Sequence, residues 1–231
     1  MSDTLYLSLW YPNLQLATLA DKLTAVLNEF GAHGGNPRVY AATVWPVNWS
    51  EPPIFQRVWG RGQYASEGGV EPRLAVQETL ESLHDDYAYE FQIGWNLWVL
   101  ESENAETHPP PQSDGPTSIQ SVQGGNHSGR WAREPRFVRV TGYGPLFDEG
   151  AYEADGHIRI DFGPDAPFLD EWEDEAELNA VAARHVEENI RQLVALTAAV
   201  EKSSGATARL LWSDLGESLA QRLAKRLGVA N

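Results

Sequence analysis

One alternating stretch of the sequence carries side chains that could bind a ligand. In residues 87–101, apolar or aromatic residues fall at every second position, with polar and aromatic side chains between them. A strand projects alternate side chains to opposite faces, so this pattern predicts a long central strand with one buried face. Aromatic residues near the N-terminus alternate with leucines in the same way. The candidate binding residues on the shared second face are Tyr6, Trp10, Glu90, Asn96 and Trp98.

A sheet face that mixes tryptophan, carboxylate and amide has two interpretations. It can be a platform for a sugar or a cationic protein side chain, since aromatic faces attract both apolar surface and cations. It can also be covered by residues 137–231, because a large exposed apolar patch is uncommon on a monomer. A sheet face covered by another part of the chain is the more common arrangement. An exposed face would be the one that binds a ligand or partner.

Two groups of titratable residues have spacings that a metal site could use. His84-Asp85-Asp86 lies at a predicted helix-to-strand junction, and its neighbouring carboxylates could bind a divalent cation. His185 and Glu188 lie three residues apart on one predicted helical face. Neither group has further ligands at a recognisable spacing. We therefore favour a solvated turn and a helix-surface pair, and we predict no metal and no cofactor.

Acidic residues are concentrated in one segment. The chain has a formal net charge of −16, and residues 148–177 contain 12 acidic residues and one basic residue, a net −11. Part of this charge suits loop solvation and the start of a helix. The remainder is a candidate surface for docking a basic protein, because complementary charge accelerates encounter and selects partners. The predicted docking residues are Asp170, Glu171, Glu173 and Asp174.

Composition excludes several classes of function. Without cysteine the chain has no disulfide, thiolate nucleophile or cysteine-based metal site. It contains no GxSxG elbow, phosphate-binding GxxxxGK[ST] loop, strand-borne GxGxxG or HExxH motif. The strong negative charge argues against nucleic acid and anionic lipid as partners. No apolar run is long enough to span a bilayer, and no basic region precedes the first apolar segment, so we expect a cytoplasmic protein.

The first half of the chain must position these residues, and its pattern predicts an α+β unit. Strands are expected at 4–11, 38–47, 54–60 and 87–101, with helices at about 14–30 and after Pro72. Asn13 is a predicted helix N-cap and Gly31 a predicted C-terminal cap. The order strand, helix, strand, strand, helix, strand is that of the ferredoxin-like fold. Residues 1–101 are therefore predicted to form a four-stranded antiparallel sheet with both helices on one face.

The rest of the chain divides into a loop and a second α+β segment. Residues 102–134 are rich in proline, glycine and polar residues and are predicted to be a loop or linker. Residues 135–231 read as strand, strand, long helix, strand and a final helix. This segment is a second unit or continues the sheet of the first unit, and no sequence repeat distinguishes the two arrangements.

Two functional hypotheses follow. The first is a non-enzymatic, acidic interaction protein that binds a basic partner, as an immunity protein or antitoxin would. The second is a small-molecule or carbohydrate-binding protein, or a hydrolase, that uses an aromatic cleft with carboxylates such as Glu90 with Asp85 or Asp86. An ordered cavity that brings Trp98 and Glu90 together would favour the second hypothesis.

Overall fold

The computed structural model describes residues 3–35, 37–59, 68–100, 131–169 and 180–214. In these ranges the strands are β1 (Thr4–Trp10), β2 (Val39–Pro46), β3 (Phe55–Val58), β4 (Tyr87–Leu100), β5 (Trp131–Tyr143), β6 (Ile158–Pro164) and β7 (Ala208–Ser213). The α-helices are α1 (Leu19–Gly34), α2 (Pro72–Thr79), α3 (Tyr152–Asp155), α4 (Ala166–Leu169) and α5 (Ala180–Ser204). Two 3-10 turns, Leu16–Thr18 and Phe147–Glu149, precede α1 and α3.

All seven strands belong to one sheet, in the order β3-β2-β4-β5-β6-β1-β7. Each pairing of neighbouring strands is antiparallel. The structure is therefore a mixed α+β fold with a predominantly antiparallel sheet, as the sequence predicts. β1, from before residue 101, lies between β6 and β7, from after residue 130, so the two segments of the chain share one sheet.

The long predicted strand is confirmed as β4, which pairs with β2 on one side and β5 on the other. Its predicted core face is buried, because Tyr89, Phe91, Ile93, Trp95 and Leu97 are all almost inaccessible to solvent. This face packs against α1 and α5, whose buried stripes join the same hydrophobic core. No helix in the described ranges is both long and apolar enough to cross a membrane.

The ferredoxin-like arrangement predicted for residues 1–101 is not confirmed. That fold would place β1 among the other strands of the first half, whereas β5 and β6 separate β1 from β4 here. The cause is the long ladder between β4 and β5, which runs from Ala88 opposite Tyr143 to Leu100 opposite Trp131. This pairing occupies the edge of β4 that β1 would need, so β1 lies between β6 and β7 instead.

The first helix also differs from its prediction. It begins at Leu19 and continues to Gly34, and Asn13 adopts a left-handed φ of 51° instead of capping it. Gly31 lies inside the helix, where a β-carbon would come within 2.5 Å of the Pro37 ring. Glycine at this position therefore permits a close approach of two segments, and the C-cap after the helix is Gly35, whose φ is 107°.

The predicted elements of the second half are found in the expected order. β5 and β6 come first, then α5, then β7, with short helices between them. β5 begins at Trp131, a few residues before the predicted start of this segment. The predicted final helix and most of the predicted loop over 102–134 lie outside the described residues.

Candidate functional site

The sheet face opposite α1, α2 and α5, called the second face below, carries two continuous rows of side chains. Paired residues of antiparallel strands project to the same side of the sheet, so the strand register shows which residues belong to each row. One row comprises Val58, Ala41, Gln92, Arg139, Asp161, Tyr6 and Trp212. The adjacent row comprises Gln56, Thr43, Glu90, Thr141, Arg159, Ser8 and Leu210.

A cavity of about 290 Å³ opens where these rows cross β4, β5, β6 and β1. Carboxylates, guanidinium groups, a hydroxyl group and aromatic rings all reach it, which is the mixture that fixes a polar ligand. We call it the Glu90 cavity, and its lining residues are Tyr6, Trp49, Glu90, Arg139, Thr141, Arg159 and Asp161.

Both arginines of the cavity have carboxylate partners. Arg139 pairs with Asp161, and Arg159 pairs with Asp155. Asp161 also accepts a hydrogen bond from the Gly163 N–H at 2.8 Å. Burial alone would lower the pKa of Arg139, but the charge and hydrogen bond of Asp161, together with Glu90 and Tyr6, outweigh burial and raise that pKa. These two pairs therefore hold the guanidinium groups in place and neutralise much of their charge.

Glu90 differs from Asp161, the other acidic residue that lines the cavity. Its carboxylate makes no hydrogen bond or ion pair to any residue in the described ranges, although it is partly buried. Burial raises the pKa of Glu90, and Asp161 adds to the rise, while Arg139 and Arg159 oppose it. A partly buried carboxylate without a direct hydrogen-bond partner favours the approach of a cation or of hydrogen-bond donors.

Trp49 forms one wall of the cavity and is held by a second, small hydrophobic cluster. The centres of its ring and the Phe147 ring are 5.0 Å apart, and Trp45 and Tyr143 also contact it edge-on. The loop before it contains Val47 at a φ of 59°, and the Val47 carbonyl accepts a hydrogen bond from Asp148, whose φ is 47°. A β-branched residue in this left-handed region is strained. Backbone strain of this kind is concentrated at functional sites, which supports a role for the position of Trp49.

Tyr6 forms the opposite wall and is fixed on both sides. Its ring stacks on Trp212 at a centroid distance of 4.5 Å, and the Arg159 guanidinium lies 5.7 Å from its centre. Trp212 in turn donates a hydrogen bond from Nε1 to Ser8 Oγ at 3.0 Å. Burial raises the pKa of Tyr6, with a contribution from Asp161, so its hydroxyl remains protonated at neutral pH.

The five predicted binding residues do not all meet at this cavity. Tyr6 and Glu90 line it, whereas Trp10 lies towards one end of the second face and donates a hydrogen bond to the Glu153 carbonyl at 3.3 Å. Asn96 donates to the Gly34 carbonyl at 2.8 Å. Trp98 stacks on His185 of α5 at 4.1 Å.

The separation of Asn96 and Trp98 from Glu90 has a structural cause. The pairing of β4 with β2 ends at Ile93, so one edge of the following part of β4 pairs with no strand among the described residues. Asn189 and Gln192 of α5 supply side-chain hydrogen bonds to the backbone of Trp98 and Asn96 along this edge. The second half of β4 is thus buried against a helix, and alternation alone does not reveal this.

Five cavity residues were not among the predicted binding residues. Arg139 and Thr141 are two apart on β5, as Arg159 and Asp161 are on β6, so alternation places each pair on one face. Alternation does not say which face of the sheet these pairs lie on or which strands lie beside them, because both depend on how the strands pair. Trp49 lies in a loop, and no periodic signal indicates its position.

The other titratable groups have structural roles. The His84 ring packs on Tyr87 at 4.3 Å, and the backbone carbonyls of Asp85 and Asp86 accept hydrogen bonds from Leu146 and Val47. Among the described residues, no group of three or more histidine or acidic side chains is placed to hold a metal ion.

On α5, His185 faces Trp98 and Glu188 pairs with Arg133. The predicted docking residues Asp170, Glu171, Glu173 and Asp174 lie outside the described residues.

A larger groove of about 440 Å³ lies between the tip of the β4–β5 hairpin and residues 162–167. Its lining is mainly aromatic, aliphatic and proline side chains, and Arg136 is its one charged lining residue in the described ranges. It offers fewer convergent polar groups than the Glu90 cavity. We therefore regard the Glu90 cavity as the candidate functional site.

Comparison with known proteins gives no independent assignment of this site. No family model matches the chain, and no curated protein sequence or solved structure is significantly similar to it.

Proposed function

We propose that this protein is a non-enzymatic interaction module whose second face binds a basic protein, with the Glu90 cavity at the centre of the contact. The observation that carries the proposal is the partly buried carboxylate of Glu90, which has no hydrogen-bond or ion-pair partner in the described ranges and whose pKa burial raises despite the nearby Arg139 and Arg159. A lysine or arginine side chain from a partner would donate the hydrogen bonds that Glu90 lacks. Such a charge-assisted hydrogen bond is worth more than a neutral one, because both groups are charged and a partly buried site screens their attraction less than water does.

The rest of the second face has the composition of a protein interface. Exposed apolar residues on it include Val58, Phe137 and Leu210, and the Phe137 ring packs against Tyr40 at 5.4 Å. Protein interfaces are enriched in aromatic residues and arginine, and their most important residues cluster near the centre. Tyr6, Trp49, Arg139 and Arg159 provide these residue types around Glu90.

Long-range electrostatics would favour the same partner. A net charge of −16 steers basic proteins towards the chain and repels acidic ones. An immunity protein or antitoxin, acting in the cytoplasm on a basic toxin, has this charge relationship. The acidic residues Glu171, Glu173 and Asp174 would then add to the attraction as a second docking surface.

The proposal is tested by site-specific photocrosslinking in cells. A p-benzoylphenylalanine replaces Leu210 on the second face or, as the matched control, Val194 on α5, since both side chains are about half exposed. We expect a basic protein to crosslink from position 210 and not from 194. The purified partner should bind more weakly as salt is raised, and Glu90→Gln should weaken binding by about 10- to 150-fold.

Three results would overturn the proposal. They are the absence of a crosslink at position 210, a crosslinked partner that is acidic, and an affinity that depends neither on salt nor on Glu90. Charge reversal of Glu171, Glu173 and Asp174 measures the contribution of the acidic segment separately. If that variant loses binding and Glu90→Gln does not, the partner docks on the acidic segment and not on the second face.

A second candidate function is the binding of a small polar ligand such as a sugar. The observation in its favour is the Glu90 cavity itself, which combines the Trp49 ring with the Thr141 hydroxyl and charged hydrogen-bonding groups. Titration calorimetry with glucose as the probe distinguishes the two. Saturable glucose binding that disappears in Glu90→Gln but persists in Leu210→Ala would favour this second function. Its absence would leave the protein-binding proposal as the stronger one.

A further inference from the structure

A second cavity, separate from the Glu90 cavity, lies at the end of the sheet where β1, β5 and β6 meet the segment before α1. Its volume is about 330 Å³, and it shares no lining residue with the Glu90 cavity. The residues that line it in the described ranges are all uncharged at neutral pH, in a protein with a net charge of −16. We call it the His157 cavity, and its lining residues are Tyr11, Asn13, Leu14, Leu16, Tyr143, Pro145, Tyr152 and His157.

His157 is fixed in one tautomer by the backbone. Its Nδ1 accepts a hydrogen bond from the Tyr11 N–H at 3.2 Å, so in the neutral imidazole the proton is on Nε2. Burial lowers the pKa of His157, which keeps the ring neutral at pH 7. Nε2 makes no hydrogen bond to another side chain or backbone group in the described ranges. His157 therefore presents one oriented N–H donor.

Aromatic rings form the walls around this donor. The Tyr152 ring lies 4.7 Å from the His157 ring at an interplanar angle of 31°, and Tyr11 meets the same ring edge-on at 6.1 Å. Tyr143 and the leucines of the segment before α1 complete a largely apolar lining, to which Asn13 adds a polar side chain. Flat apolar surfaces of this kind pack well against another ring.

We propose that the His157 cavity binds a small, neutral aromatic molecule that carries one hydrogen-bond acceptor. The aromatic walls select a flat ring, and the His157 Nε2–H donates to the acceptor. A charged ligand should bind more weakly, because no lining residue in the described ranges carries a counter-charge to offset the loss of its hydration. The volume lies at the lower end of the range for ligand pockets, which limits the ligand to about one or two rings.

The experiment is an NMR titration of the full chain with three probes that share one benzene ring. Acetophenone is neutral and has a carbonyl acceptor, benzoate is anionic and benzylamine is cationic. Acetophenone should produce saturable shifts at Tyr11, Tyr152 and His157, and the two charged probes should bind at least ~10-fold more weakly. The His157→Phe variant keeps a flat ring but lacks the donor, and it should weaken acetophenone binding by about 3- to 10-fold.

Because His157→Phe also removes the acceptor of the Tyr11 N–H, a second variant is needed. Leu14→Trp fills the cavity and should abolish acetophenone binding, whereas Leu74→Trp on the exposed side of α2 is the matched control and should not. Glu90→Gln should leave acetophenone binding unchanged, since the two cavities share no residue. The absence of saturable shifts, equal binding of the charged probes, or binding that survives Leu14→Trp would each overturn the proposal.

Discussion

Replacing Asn189 with leucine should lower the free energy of unfolding by about 3 kcal/mol. Asn189 is fully buried on α5, and its side chain replaces the missing strand partner of β4. Its Oδ1 accepts a hydrogen bond from the Trp98 N–H at 2.9 Å. Its Nδ2 donates to the carbonyls of Trp98 at 2.8 Å and Pro167 at 3.0 Å.

The magnitude follows from the groups that leucine would leave without a partner. Leucine keeps the branched shape of the asparagine side chain but is bulkier, so it creates no cavity and any overlap adds to the cost. The Trp98 N–H and the carbonyls of Trp98 and Pro167 would each lose a hydrogen bond. A buried unsatisfied polar group costs about 1–3 kcal/mol, and these groups are only partly buried, so we take about 1 kcal/mol for each. For a chain of this size the sum corresponds to a fall in Tm of about 6–12 °C.

Urea unfolding followed by circular dichroism measures the change, with Gln192→Leu as the control. Gln192 makes a single hydrogen bond of 3.2 Å to the Asn96 carbonyl on the same edge, so its loss should cost about 1 kcal/mol or less. Asn189→Asp should be at least as destabilising as Asn189→Leu at neutral pH, because a carboxylate would face the two carbonyl oxygens. If Asn189→Leu lowers the free energy of unfolding no more than Gln192→Leu does, Asn189 does not stabilise this edge of β4 in the way described.

Three further predictions concern the Glu90 cavity and its supports. Burial raises the folded-state pKa of Glu90, so the free energy of unfolding should fall as pH rises from the unfolded-state pKa through the folded-state pKa. Glu90→Gln should remove this dependence and be more stable than the unaltered chain above that window. Urea unfolding at several pH values measures both effects. Val47→Asn should raise stability by about 1 kcal/mol, since asparagine tolerates the left-handed φ of 59° and the side chain is half exposed. Gly144→Ala should lower the free energy of unfolding by about 2 kcal/mol or more, because the new β-carbon would lie 2.4 Å from the Asp85 carbonyl oxygen. Gly94→Ala is the control, because its β-carbon would meet only a side chain, which can move.

Each of these predictions has a contradicting outcome. Equal pH dependence in Glu90→Gln and the unaltered chain would mean that the carboxylate is fully compensated. A loss of stability in Val47→Asn would mean that the valine side chain contributes more by packing than its backbone costs in strain. Equal losses of stability in Gly144→Ala and Gly94→Ala would mean that the loops around Trp49 are not closely packed against residue 85.

The local features of the fold could be predicted from the sequence, whereas the order of strands could not. Alternation over residues 87–101 specifies a long strand and its core face, because side chains along a strand project to alternate sides whatever its neighbours are. Strand order depends on contacts between residues far apart in the sequence. The ladder from Ala88–Tyr143 to Leu100–Trp131 joins segments on either side of residues 101–130 and displaces β1 to the other side of β6.

The candidate site divides in the same way. The sequence by itself determined that Tyr6 and Glu90 lie on the face opposite the core, because that depends only on the alternation within each strand. The tertiary structure decided which strands lie beside them, and so brought Arg139, Arg159 and Asp161 to Glu90. It also decided that Asn96 and Trp98 are held by α1 and α5, since β2 ends its pairing at Ile93 and the helices satisfy the free edge. Alternation is a property of one strand, whereas a cavity requires a register among several strands.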